Sequence, residues 1–119
     1  MGKKDKLNAI KHHLAVLIRQ KAYVVAEGPE YPTKWWFGKV TDPRTGKFFT
    51  FPGAWDFIAD KLEEKGSKIK EKILDKPPEQ KGYILLERTS WGAIYIKIHF
   101  GKGEKNIVVG RSFHYSMKK

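Results

Sequence analysis

The run from Trp91 to Tyr115, WGAIYIKIHFGKGEKNIVVGRSFHY, leaves the rest of this chain little choice but to pack against a β-sheet. Ile94, Ile96, Ile98 and Phe100 alternate with Tyr95, Lys97 and His99. A period of two turns successive side chains to opposite faces of a strand, here one apolar and one polar. Gly101, Lys102, Gly103 and Glu104 supply a turn, because glycine accepts the positive φ that tight hairpins require, and the β-rich run Ile107, Val108 and Val109 can return antiparallel beside the first strand. A turn centred there predicts Ile98 opposite Ile107 and Ile96 opposite Val109, with all four buried. The opposite face then collects Tyr95, Lys97, His99, Ser112 and His114.

At 119 residues, with 40% hydrophobic residues, the chain reads as a single domain, 1–119, with enough apolar surface for one modest core. It has no cysteine, which removes disulfides, thiolate nucleophiles and zinc–thiolate sites. No apolar run approaches the roughly 20 residues of a membrane-spanning helix, and the basic N-terminus lacks the apolar core of a signal peptide, so a soluble chain is expected. The net charge of +11 is unevenly placed. Residues 1–25 carry six Lys or Arg against one acid, residues 88–119 seven against one, and the middle eleven of each. A basic field of this kind attracts polyanions by counterion release, which makes nucleic acid the first partner to consider.

Leu7, Ile10, Leu14, Leu17 and Ile18 recur at helical spacing and predict an amphipathic helix from Lys4 to about Lys21. His12 and His13 are adjacent, so they point roughly 100° apart on that helix and make a poor metal pair. Tyr23–Val25 reads as a short strand and Glu27–Pro32 as a loop. Trp35, Trp36 and Phe37 open a predicted second hairpin that turns through Asp42-Pro43-Arg44-Thr45-Gly46 and returns to Phe51. Aromatics interleaved with Lys34, Lys39, Arg44 and Lys47 suit a surface that stacks bases and holds phosphates. Alternation turns only one of Trp35 and Trp36 inward, leaving the other as a stacking candidate. Pro52-Gly53 begins a helix with Trp55, Ile58, Ala59 and Leu62 on its buried stripe and Asp56, Asp60, Glu63 and Glu64 as a solvated face. Ser67 is expected to cap a further short helix through Ile69 and Ile73, stopped by Lys76-Pro77-Pro78, and Gly82–Glu87 to form the strand leading into the closing hairpin. No phosphate loop or metal-ligand spacing is present, so neither cofactor nor metal enters the reading. The expected fold is α+β: an N-terminal helix, a β-hairpin, two helices, then a three- to four-stranded antiparallel sheet.

With IYIKIHF followed by IVVGRSFHY at its end, the chain resembles the barnase, EndoU, colicin and RelE superfamily of small ribonuclease toxins, the MqsR-type toxins among them. The resemblance spans residues 54–116 as an order of elements, and the Trp35–Phe51 hairpin has no counterpart in it. It implies that the sheet face holds RNA and cleaves it without metal, that the toxin, either free or as the C-terminal domain of a larger secreted one, acts in the cytoplasm, and that an acidic antitoxin or immunity protein restrains it. The positions matching the family's residue types are Lys97, His99, Arg111, Ser112, His114 and Tyr115.

Cleaving RNA through its own 2′-hydroxyl needs a base, an acid and cations to hold the charge on phosphorus. On that expectation His114 is general base or acid, His99 its partner, Arg111 and Lys97 phosphate clamps, and Tyr115 or Tyr95 a positioning donor. Ser112 completes the catalytic set, and Tyr95, Trp36, Lys39 and Arg44 are the expected substrate contacts. Strict alternation would put Arg111 on the core face, so either Gly110 makes a bulge that turns it round or Arg111 lies past the sheet edge. Two other classes use the same surface chemistry: a non-catalytic RNA- or DNA-binding module, and a protein-binding partner of the antitoxin or immunity type.

Overall fold

The structure, a computed structural model, describes residues 3–26, 33–74, 80–101 and 106–116. Its elements in chain order are α1 (Lys3–Arg19), β1 (Tyr23–Val25), β2 (Lys34–Trp35), a 3-10 turn at Phe37–Lys39, α2 (Phe51–Glu63), β3 (Lys70–Ile73), β4 (Lys81–Thr89), β5 (Gly92–Phe100) and β6 (Val108–Tyr115). The strands form one mixed six-stranded sheet in the order β1-β6-β5-β4-β3, with β2 also on β6. β3 to β6 pair antiparallel, whereas β1 and β2 both run parallel to β6, one after the other along the same edge.

This corrects the expected order in three places. The segment Trp35–Phe51 is not a full hairpin: Trp35 pairs with Phe113 of β6, and only the bridge Thr41–Phe48 joins the two arms. The edge of β6 offers open backbone groups, and the Trp35 indole gains a seat 4.8 Å from the Trp55 ring and 5.5 Å from the Phe113 ring. The turn itself forms, with the Arg44 N–H donating to Asp42 Oδ1 at 2.8 Å and the Gly46 N–H to the Asp42 carbonyl at 2.8 Å. Secondly, the short helix after Ser67 is absent, and Lys70–Ile73 is a strand on β4. The spacing of four between Ile69 and Ile73 suits a helix, but so short a segment repays helix nucleation poorly, while the β4 edge supplies ready hydrogen-bond partners.

The third correction is the register of the closing hairpin. Ile98 faces Gly110 and Ile96 faces Phe113, and Val108, opposite Phe100, takes the buried place expected of Val109. The register shifts between Lys97 and Ile98, where β6 carries Arg111 as one extra residue. That bulge lies between Gly110, paired with Val25 of β1, and Ser112, paired with Lys34 of β2. Past it, the parity returns to the expected one: Phe113 is buried on the core side and His114 lies opposite Tyr95.

Both helices cover one sheet face. Leu14, Leu17 and Ile18 of α1 and Trp55, Phe57, Ile58 and Leu62 of α2 meet Leu85, Ile94, Ile96, Ile98, Val108 and Phe113 from the strands. Thr50 caps α2 by accepting the Gly53 N–H at 3.0 Å, with Pro52 in the first turn, where its missing N–H costs nothing. α1 stops at Lys21, which takes φ 62° so that the Ala22 N–H reaches back to the Leu17 carbonyl at 2.9 Å.

Candidate nucleic-acid interface

The sheet face turned away from the helices is built in rows, because residues paired across neighbouring strands project on the same side. One row reads Leu86, Tyr95, His114, from β4 to β6, and ends at Trp36, which follows β2. The Tyr95 and His114 rings lie 5.4 Å apart and nearly parallel, and the Trp36 ring is 5.5 Å from His114 on its other side. Trp36 is 49% exposed and Leu86 46%. The next row reads Lys70, Ile84, Lys97, Ser112, Lys34 from β3 to β2. Arg88 lies beyond the first row and Lys72 beyond the second. Lys34 Nζ also sits 5.7 Å from the Trp36 ring centroid, within cation–π reach.

Charge is divided by strand parity. Glu71 falls opposite Tyr83 and binds Lys81 at 3.5 Å, and Glu87 falls opposite Ile94 and meets Lys61 of α2 at 3.8 Å, so both carboxylates lie on the helix side. Burial pushes the Glu87 carboxyl up, against the pull of Lys61. Among the described residues no strand puts a carboxylate on the open face, although the middle of the chain has as many acids as bases. Lys70 and Lys72 come from that balanced segment. The signal for them was legible as Lys68, Lys70 and Lys72 at a period of two, which is a strand with a cationic face rather than a helix.

Toward the other end the face closes. His99, Arg111 and Ser112 are all buried, and Leu74 packs over Gly82, the residue paired with His99. The His99 Nδ1 donates to the Phe100 carbonyl at 2.6 Å, since that oxygen can only accept, and Nε2 lies 3.3 Å from Arg111 Nη1 and so accepts from it. Desolvation, reinforced by the charges of Arg111 and Lys97, holds His99 below its usual range despite the opposing backbone bond. His99 is therefore a neutral acceptor that orients Arg111.

The expected site residues are thus divided. Tyr95, Lys97, Ser112, His114 and Trp36 share the open face, and the bulge turns Arg111 toward it as well. His99 is not brought to His114: His114 stands opposite Tyr95, four residues along β5, which is about 13 Å of strand. Tyr115 lies on the helix side, where its hydroxyl accepts the Thr41 N–H at 3.0 Å. Lys39 is exposed on the 3-10 turn, and Arg44 is held by Asp42, Asp56 and Asp60, far from a free phosphate clamp. His12 and His13 are exposed on α1, and no group of three metal-ligating side chains occurs among the described residues. Nor is any described helix long and apolar enough to cross a membrane. Compared with protein-family models, with curated proteins and with solved structures, the chain matches none.

Proposed function

We propose that this protein binds nucleic acid on the open face of its sheet. The observation that carries this reading is the division of charge: Lys34, Lys70, Lys72 and Arg88 are exposed on the same face as Trp36, and the carboxylates of the described strands point the other way. Such a face gains affinity by releasing the counterions condensed on phosphates. Each phosphate contact on a single strand contributes about −0.7 to the slope of log K against log salt, so four cations predict a slope of about −3. Lys34→Gln with Lys70→Gln should weaken binding and reduce the slope by about 1.4. A slope near zero, or an unchanged one in the double variant, would remove the reading.

Cleavage of RNA on the same face is a second reading, favoured by His114. Its Nδ1 donates to the Tyr115 carbonyl at 2.8 Å, which leaves the lone pair on Nε2, the tautomer a general base needs. With Lys97 two residues along the neighbouring strand, a phosphate near Nε2 would have a cation beside it. RNA incubated with the protein in EDTA should then yield fragments ending in 2′,3′-cyclic phosphate, and His114→Ala should slow their release at least about a hundredfold with affinity nearly kept. Intact RNA leaves the protein a binder; equal cleavage by a folded His114→Ala variant assigns the chemistry elsewhere.

A further inference from the structure

Resting on the nucleic-acid reading, we infer that the ligand is single-stranded and crosses the β-strands at right angles, with bases on the row that ends at Trp36 and phosphates on the parallel row of lysines. The two rows are two residues apart along each strand, about 7 Å, an interval that one nucleotide bridges between its base and its backbone. Lys34, Lys97 and Lys70 occupy every second strand of their row, about 10 Å apart. Their line therefore follows a backbone laid across the sheet, whereas a backbone laid along one strand would meet a single lysine of that row.

The aromatic row selects the form of the ligand. With centroids 5.4 Å apart and ring planes 28° from parallel, Tyr95 and His114 stand against each other instead of lying flat side by side. The row is already a short stack, and a base adds at its ends: against the half-exposed Trp36, or against Tyr95 on the side of the half-exposed Leu86. In a duplex every base face except those of the two terminal pairs is covered by its neighbours, whereas unstacked bases all along a single strand are open to stacking. Ring stacking reads no base edge, so the site is expected to tolerate sequence.

The test compares four probes by fluorescence anisotropy: single-stranded RNA, single-stranded DNA and a strand whose central sugars lack bases, each of about eight nucleotides and equal phosphate number, and a stable DNA duplex of about twenty base pairs, whose larger phosphate number favours it electrostatically. Either single strand should bind at least about tenfold more tightly than both the duplex and the abasic strand. Trp36→Leu, at an exposed position, should close a clear part of the gap between the single strands and the abasic strand, the Tyr95 end keeping the rest, while leaving the abasic strand unchanged, with thermal melting confirming the fold. An abasic strand or a duplex that binds as well as the single strands overturns this inference and leaves the salt-dependent nucleic-acid reading standing. Binding of none of the four removes that reading and the inference with it.

Discussion

Gly110→Ala is expected to cost about 1–3 kcal/mol of stability, the usual range for forcing a methyl into a filled site. A Cβ there would lie 2.7 and 2.8 Å from ring carbons of Trp35 and 3.0 Å from Trp55 Cζ2. Neither indole has an easy retreat. Trp55 is 1% exposed and stacks on Tyr23 at 4.4 Å on top of its contact with Trp35. The φ of Gly110 is not in the left-handed region, so the loss is steric, not conformational, and it should respond to the size of the neighbour. Trp35→Leu beside Gly110→Ala should therefore cost less than the sum of the two single changes, an interaction of the sign that neighbours sharing one space show. Urea midpoints of the four proteins measure it, and at roughly 4 °C per kcal/mol melting temperatures should follow. The effect reaches the interface, since the Trp35 seat is what fixes β2 on β6 and presents Lys34 and Trp36 on the open side. A Gly110→Ala protein as stable as its parent would mean that Trp35 is not packed over this glycine.

How far this arrangement can be read from residues depends on the length of each element. β4 and β5 are nine residues each, long enough for alternation to declare both their existence and their inner face. β1 and β2, at three and two residues, contain no period at all; their pairing with β6 is decided by Tyr23, which stacks on Trp55, and Trp35, which packs tilted against it, contacts between parts of the chain that sequence order keeps separate. Ile69 and Ile73 misled because two positions fit either period, and the lysines between them held the better clue. The register failed for a different reason. A two-residue alternation is blind to a shift by an even number and to a bulge, and Arg111 looked misplaced until its extra position in β6 moved it to the His99 side. The acids of α2 read from helical spacing as a solvated face, and that spacing holds no trace of Arg19 and Arg44 converging on them from α1 and the 42–46 turn.

That convergence makes Arg44→Ala the second change expected to act strongly. Arg44 donates from Nε to Asp42 Oδ1 at 3.0 Å, from Nη1 to Asp56 at 2.9 Å and Asp60 at 2.7 Å, and from Nη2 to Asp42 Oδ2 at 2.9 Å and the Gly53 carbonyl at 3.1 Å. From α1, Arg19 holds Asp56, Asp60 and Glu63. The two guanidiniums thereby tie the first helix and the 42–46 turn to the second helix. Pairs exposed as Asp56 and Glu63 are contribute little singly, but Asp42 is only 5% exposed, and without Arg44 its carboxylate keeps just the N–H bond of the turn. Stranding a buried charge in this way costs about 2–4 kcal/mol, below the full penalty because one bond survives. The pH dependence separates this from a packing defect. For Asp60 burial opposes ionisation, but hydrogen bonds from Arg19 and Arg44 outweigh it and hold the carboxyl below its ordinary 3.8; the hydrogen bond from Arg19 does the same for Glu63, below 4.5. A carboxyl lowered in the folded state stabilises it at neutral pH and loses that contribution as the pH falls through the carboxylate range. His99 acts earlier: lowered from 6.5, it resists the proton that the unfolded chain accepts, so stability already declines as the pH drops below about 6.5. Urea midpoints between pH 7 and pH 3 should show both steps in the parent. In Arg44→Ala the His99 step should remain, and the gap to the parent should narrow as the pH falls through the carboxylate range, where the parent loses the contribution that Arg44 makes by holding the Asp60 carboxyl low. A gap that stays constant down to pH 3 would show that Arg44 acts through its packing over Phe57, 5.3 Å away, and not through its charge.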